Sequence, residues 1–152
     1  MSCDIHIWIE KQNADGSSII DKLDSASAPR CYGAFAFLAG VRNYAGIEPL
    51  SEPRGIPTDC PSDLHDLLED CNYHSHSWFT VEELNAVDYD KQVENRRYSA
   101  ELFPGFVSGS LTAPVGQGKM MPLRHLISEQ YVYLFKRLKD EGYTRIIFAF
   151  DN

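Results

Sequence analysis

Residues 2 to 10, SCDIHIWIE, alternate with a period of two: Cys3, Ile5, Ile7 and Ile9 fall on one side, Asp4, His6, Trp8 and Glu10 on the other. Side chains two apart on an extended chain share a face, so the pattern reads as a half-buried β-strand with a polar second face. The chain closes on TRIIFAFDN, an apolar run dense enough for a central strand. Strand patterns at both ends and helical patterns between them predict an α+β fold. Its small mixed or antiparallel sheet includes both terminal strands and is packed by three to four helices. Half of an α/β unit remains an alternative, because periodicity does not give strand order. At 152 residues the chain fits one domain, 1–152.

Between these ends the punctuation is clear. Asp15-Gly16 supplies the backbone for a tight hairpin turn, and SSIIDKL reads as the returning strand. Residues 30–46 predict a helix of about three turns, started by Pro29 and ended near Gly40 or Gly46. Four prolines and a glycine in residues 48–61 exclude a regular element there. Ser62 is the expected cap of a helix whose apolar face carries Leu64, Leu67, Leu68 and Cys71. NYHSHSWF reads as extended, running into Thr80-Val81-Glu82-Glu83, a capping box that opens a further helix. Residues 102–122 are rich in glycine, proline and small polar groups and predict a long loop, a lid or an assembly arm if ordered. Residues 123–141 carry Ile127, Tyr131, Leu134 and Leu138 at helical spacing and predict one long helix ended by Gly142.

The net charge of −8 argues against duplex nucleic acid as a partner, since such proteins displace counterions with basic stripes. It leaves room for a small phosphorylated ligand, which needs only a few well-placed donors. No apolar run reaches the roughly 20 residues of a membrane span, and no basic-then-apolar leader precedes the first strand, so the expected location is the cytoplasm. Cys3, Cys31, Cys60 and Cys71 form no C-x-x-C pair and read as reduced thiols.

Asp4 and His6 share a strand face, their side chains rooted about 6–7 Å apart. His74 and His76 have the same relation if HSHSW is extended. Convergence of these four would make a site of nitrogen and oxygen donors suited to a divalent transition metal. Asp151 joins them if the terminal strands pair. The metal-free reading gives the same residues acid–base roles: His6 with His74 or His76 as base and acid, Asp4 fixing the tautomer. There is no His-x-Thr pair, Walker loop, G-x-S-x-G elbow or H-E-x-x-H helix to name a known chemistry. Arg42 in GVRNY and Arg54 in SEPRGIP are candidate clamps for a phosphate or carboxylate, Arg54 on a Pro/Gly-restrained loop. Tyr44 and Trp78 are candidate stacking partners for a base. His65 and His125 fall in helical segments and read as ordinary boundary residues.

CDIHI, RCYGAFAFLAGVRNYAGI, SEPRGIP, HSHSWFTVEEL and FAFDN occur in that order. In this the chain resembles a widespread group of short bacteriophage and prophage proteins without an assigned activity. The likeness covers the first 85 residues and the last few; residues 86–120 lie outside it. The resemblance implies a phage accessory protein acting in the host bacterial cytoplasm, and turns the expected ligand of the Asp/His/Arg pocket toward a nucleotide-like signal of host defence. The expected activity is phosphodiesterase-like hydrolysis, with or without a metal ion. The alternatives are a non-catalytic sponge for such a signal and an inhibitor that binds a host protein. A homo-oligomer is compatible with this sequence and not demanded by it.

Overall fold

The computed structural model describes residues 2–70, 72–98, 103–105 and 109–152. In chain order the elements are β1 (Asp4–Gln12), β2 (Ser18–Lys22), α1 (Tyr32–Ala39), α2 (Ser62–Glu69), β3 (His74–Thr80), α3 (Val81–Asn85), β4 (Gln92–Asn95), β5 (Lys119–Pro122), α4 (Leu123–Ile127), α5 (Glu129–Asp140) and β6 (Arg145–Asp151). The fold is α+β. Its chain gathers into two compact units: Met1–Arg30, Pro53–Val87 and Gln130–Asn152 form the first, Cys31–Glu52 and Asp88–Glu129 the second.

The first unit is built on a four-stranded antiparallel sheet of order β2-β1-β6-β3, so both terminal strands belong to it and pair directly. β6, the apolar C-terminal run, is central as its composition predicts. The hairpin from β1 to β2 turns at Asp15-Gly16, where Gly16 takes a φ of 86° that suits glycine. Register assigns the faces. Asp4, His6 and Trp8 stand opposite Asp151, Ala149 and Ile147, and Trp78 also stands opposite Ile147. The other face holds Ile5, Ile7, Phe148, Phe150 and Phe79, together with His74 and the buried Ser77 of β3.

The second face of β1 is less polar in its surroundings than alternation suggests. Trp8 is buried with Leu64 and Leu68 of α2 and with Ile147 and Ala149 of β6. Glu10 is buried too, accepting from Arg145 Nη2 at 3.0 Å, while Arg145 Nη1 donates to Asp59 at 2.9 Å. A buried carboxylate persists because that guanidinium offsets its desolvation. In α2, Leu64 and Leu68 face this core, whereas Leu67 is exposed and Cys71 lies outside the described residues. Ser62 is the first helical residue of α2 rather than its cap; Pro61 occupies the cap position, where an absent N–H costs nothing. The Thr80–Glu83 box forms as expected, each side chain accepting the other residue's backbone N–H.

In the second unit α1 is two turns long instead of three. It stops at Gly40, whose φ of 69° lets the Gly40 N–H cap the Ala36 carbonyl. Gly33 of α1 meets the Leu126 backbone of α4 so closely that a Cβ would overlap the carbonyl. β4 and β5 form a two-stranded antiparallel pair, so residues 119–122 of the expected loop are a strand. Arg97 bridges Thr112 beyond that pair, and Glu94 accepts from the N–H groups of Gly116 and Gly118 at 3.1 Å each. Residues 102 and 106–108 of the expected loop lie outside the described set. The single helix expected over 123–141 is two: Ser128, at φ 84° and ψ 136°, breaks the backbone hydrogen bonding between α4 and α5. Nothing in the apolar spacing marks that break, since the buried positions keep helical phase on either side of it.

Candidate functional site

Pairing of the terminal strands brings Asp151 beside the opening strand. Its Oδ2 lies 2.8 Å from His6 Nε2, and its Oδ1 accepts the Asp4 N–H at 3.3 Å, so both carboxylate oxygens are held. The His6 side chain remains 24% exposed, and its other ring nitrogen, Nδ1, has no hydrogen-bond partner among the described residues. Tyr73 meets the imidazole edge-on at 5.2 Å between ring centres, which limits rotation of the ring. Asp4 points along the same face and receives the Arg30 fork, Nε at 2.8 Å and Nη2 at 2.9 Å. The Arg30 hydrogen bond holds the Asp4 carboxyl below its ordinary range.

Asp4, His6 and Arg30 line a cavity of about 440 Å³ with Lys22 and Ser25 on its wall. Lys22 is oriented from behind by the Trp8 ring, 5.4 Å from its ammonium. The cavity therefore combines two cationic side chains with an imidazole locked to a carboxylate. If Asp151 accepts the Nε2 proton, Nδ1 presents a lone pair, the state a general base needs.

The mid-chain histidines do not join this arrangement. Ser75 takes a φ of 53° and the β3–β6 register shifts between His74 and Ser77, a bulge that redirects the neighbouring side chains. His74 stands opposite Phe150 and stacks on it at 6.1 Å, on the sheet face away from His6; its Nε2 reaches Asn152 Oδ1 at 3.3 Å. His76 turns toward α2 and donates from Nε2 to the Leu68 carbonyl at 2.6 Å. Convergence of Asp4, His6, His74 and His76 on a metal ion, and the two-histidine acid–base pair, are thus corrected by the bulge. Among the described residues, the group of three or more His, Cys, Asp and Glu side chains whose ligand atoms all lie within 4.8 Å is His65, Asp66 and Glu69, on α2.

The expected clamps and stacking rings are also engaged within the chain. Arg54 gives both Nη atoms to Glu83, at 3.0 and 2.6 Å, and lies over Trp78 and Phe79 at 4.8 and 4.5 Å. Its Pro/Gly-restrained loop instead shields the outer edge of β3, where Gly55 N–H donates to the His76 carbonyl at 2.8 Å and Arg54 N–H to Ser77 Oγ at 3.0 Å. Trp78 is faced by Arg54 and, at 5.7 Å, by Arg145. In the second unit the Tyr44 hydroxyl accepts from Arg42 at 3.1 Å and its ring faces Arg97 at 5.5 Å.

Arg30, Lys22 and Tyr73 escaped the sequence reading. Arg30 follows Pro29 directly, the same stiffening signal that drew attention to Arg54. Lys22 and Tyr73 carry no such mark, because their placement comes from hairpin register and from the turn entering β3. The molecule is thus an α+β protein with a His–Asp pair at the edge of a small charged cavity. Comparison with known proteins returned no family model, no curated protein and no solved structure that matches this chain.

Proposed function

We propose that the first unit binds a nucleotide-like phosphorylated ligand in the His6 cavity and that His6, oriented by Asp151, acts on it as a general base. The observation that carries this reading is the 2.8 Å His6–Asp151 contact with Nδ1 left without a partner among the described residues. A carboxylate on one ring nitrogen fixes the tautomer and stabilises the imidazolium that forms when the other takes a proton. Lys22 brings a cation to the cavity wall for a phosphoryl group, beside Arg30, whose fork is held by Asp4. Hydrolysis of a phosphodiester would use His6 to deprotonate the water that attacks phosphorus, the departing ester oxygen taking its proton from solvent. The resemblance to phage and prophage proteins supports a ligand drawn from bacterial defence signalling.

A second reading, sequestration without turnover, is favoured by one specific fact. Only one imidazole stands in the cavity, so no second histidine is placed to protonate a leaving group. One experiment separates the two. The protein is incubated with a panel of cyclic and linear nucleotides, with and without chelator, and the products are resolved by chromatography. New products that disappear in His6→Ala and fall roughly 100-fold or more in Asp151→Asn establish catalysis. Intact nucleotide recovered after heat denaturation of the protein establishes sequestration. Absence of both binding and turnover across the panel removes the nucleotide reading altogether.

A further inference from the structure

The second unit carries a cavity that the reading above does not use. Its volume is about 600 Å³, within the range of small-molecule sites, and Phe37, Pro49, Leu50, Val93 and Leu123 supply its apolar lining. Backbone hydrogen bonds pin these walls: Leu50 N–H donates to the Phe37 carbonyl at 2.8 Å and Leu123 N–H to the Lys91 carbonyl at 2.9 Å. Asn43 braces the loop leading to Pro49, donating to the Ile47 carbonyl at 2.7 Å and accepting the Ile47 N–H at 3.1 Å.

Among these apolar groups stands the half-buried guanidinium of Arg96. Its Nη1 donates to the Ala113 carbonyl at 2.9 Å and its Nη2 to the Gly46 carbonyl at 3.3 Å. The remaining N–H groups of that guanidinium have no acceptor among the described residues. Arg30, Arg54, Arg124, Arg137 and Arg145 each reach a carboxylate, whereas Arg96 reaches none among the described residues. Scarcity of acids is not the cause in a chain with 22 Asp and Glu against 14 Lys and Arg. Glu94 lines the same cavity, but its two carboxylate oxygens accept the N–H groups of Gly116 and Gly118 at 3.1 Å each. Glu48 and Lys91, the other charged groups of the lining, are solvent-exposed and of opposite sign.

The guanidinium has a shaped seat. Gly46 holds a φ of 70°, and a Cβ there would overlap the Arg96 guanidinium. A Cβ on Gly118 would press on Arg96 Cγ at 2.9 Å. The Arg96 backbone is fixed on both sides, its N–H donating to the Ala45 carbonyl at 2.9 Å and its carbonyl accepting the Ala113 N–H at 2.7 Å.

We infer that this cavity binds an apolar monocarboxylic acid of small-molecule size, its carboxylate on Arg96 and its hydrocarbon body along Phe37, Leu50 and Val93. A carboxylate matches the guanidinium fork in shape and charge. A neutral hydrocarbon would strip water from the guanidinium without pairing it, which is costly. The acid brings the missing countercharge and covers apolar wall in the same step. Because the fork is already seated, little entropy is lost in aligning it.

Calorimetric titration of the whole chain with octanoate and, separately, with 1-octanol tests this, the two probes sharing a hydrocarbon chain and differing in charge. Saturable binding of octanoate, tighter than that of 1-octanol by roughly tenfold or more, is the expected result. In Arg96→Gln, which keeps a donor for a carbonyl but loses the charge, that preference should disappear. The preference is a ratio within one protein, so a general loosening of the second unit does not produce its selective loss. Leu50→Glu puts a like charge at a solvent-accessible wall position and should weaken octanoate roughly tenfold or more, which decides the matter even if Arg96→Gln folds poorly. No heat of binding at millimolar octanoate would overturn the inference. Equal affinity of the parent for the two probes, a preference that survives Arg96→Gln, or unaltered octanoate binding in Leu50→Glu would overturn it equally.

Discussion

Glu83 anchors one corner of the first unit through two different interactions, and a single substitution separates them. Its backbone N–H donates to Thr80 Oγ1 at 3.0 Å and its carboxylate accepts the Thr80 N–H at 3.0 Å, closing the cap of α3. The same carboxylate receives the Arg54 fork at 3.0 and 2.6 Å. Arg54 foremost, then the Thr80 donors, hold the Glu83 carboxyl down at about 2 from an ordinary 4.5, against the opposing effect of burial. At about 1.4 kcal/mol per pK unit, a fully buried group so shifted would contribute ~3 kcal/mol. The Glu83 side chain is 38% exposed, and screening by solvent brings that to about 1–2 kcal/mol. Because the folded-state pKa is the lower one, the stabilisation is fully present above pH 4.5 and is lost as pH falls from 4.5 toward 2. Glu83→Gln keeps an acceptor for the cap but removes the charge. Urea denaturation at pH 7 is expected to show it about 1–2 kcal/mol less stable than the parent. The gap should narrow to less than half by about pH 3, where the parent carboxylate is largely protonated in the unfolded chain. A variant as stable as the parent at pH 7, or a gap that stays constant on acidification, would refute the assignment of this energy to the Arg54–Glu83 charge.

Two further expectations concern packing. Leu68→Ala opens a cavity against Trp8, Ile147 and Ala149, and urea unfolding followed by tryptophan fluorescence should show a loss of about 2–5 kcal/mol. Gly33→Ala drives a methyl group into the Leu126 carbonyl, so despite alanine's better helix propensity the variant should unfold about 1–3 kcal/mol more easily by circular dichroism.

The local rules of the chain are legible without coordinates. Alternation in residues 3–9 gives β1, Asp15-Gly16 gives the hairpin, Thr80 and Glu83 give the start of α3, and the apolar tail gives the central strand. Each rests on neighbours a few residues apart, which is the range over which periodicity and capping chemistry act. The pairing of Asp151 with His6 needed only the further step that the terminal strands meet, and the sequence reading allowed for it.

What the sequence left undetermined depends on contacts between distant segments. Whether Trp8 and Glu10 face water was decided by α2 and Arg145, which lie more than 50 positions further along the chain. The divergence of His74 and His76 was decided by one extra residue in the β3–β6 register, and a one-residue shift moves a side chain to the other face of a sheet. Arg54, conspicuous in the sequence, was claimed by Glu83, while Arg42 and Arg97, 55 positions apart, were brought to the same pair of tyrosines. Spacing along a chain records which residues share a strand or helix face; only closure of the fold settles which charge finds which partner, because ion pairs and ring contacts act over a few ångströms of space whatever the separation in sequence.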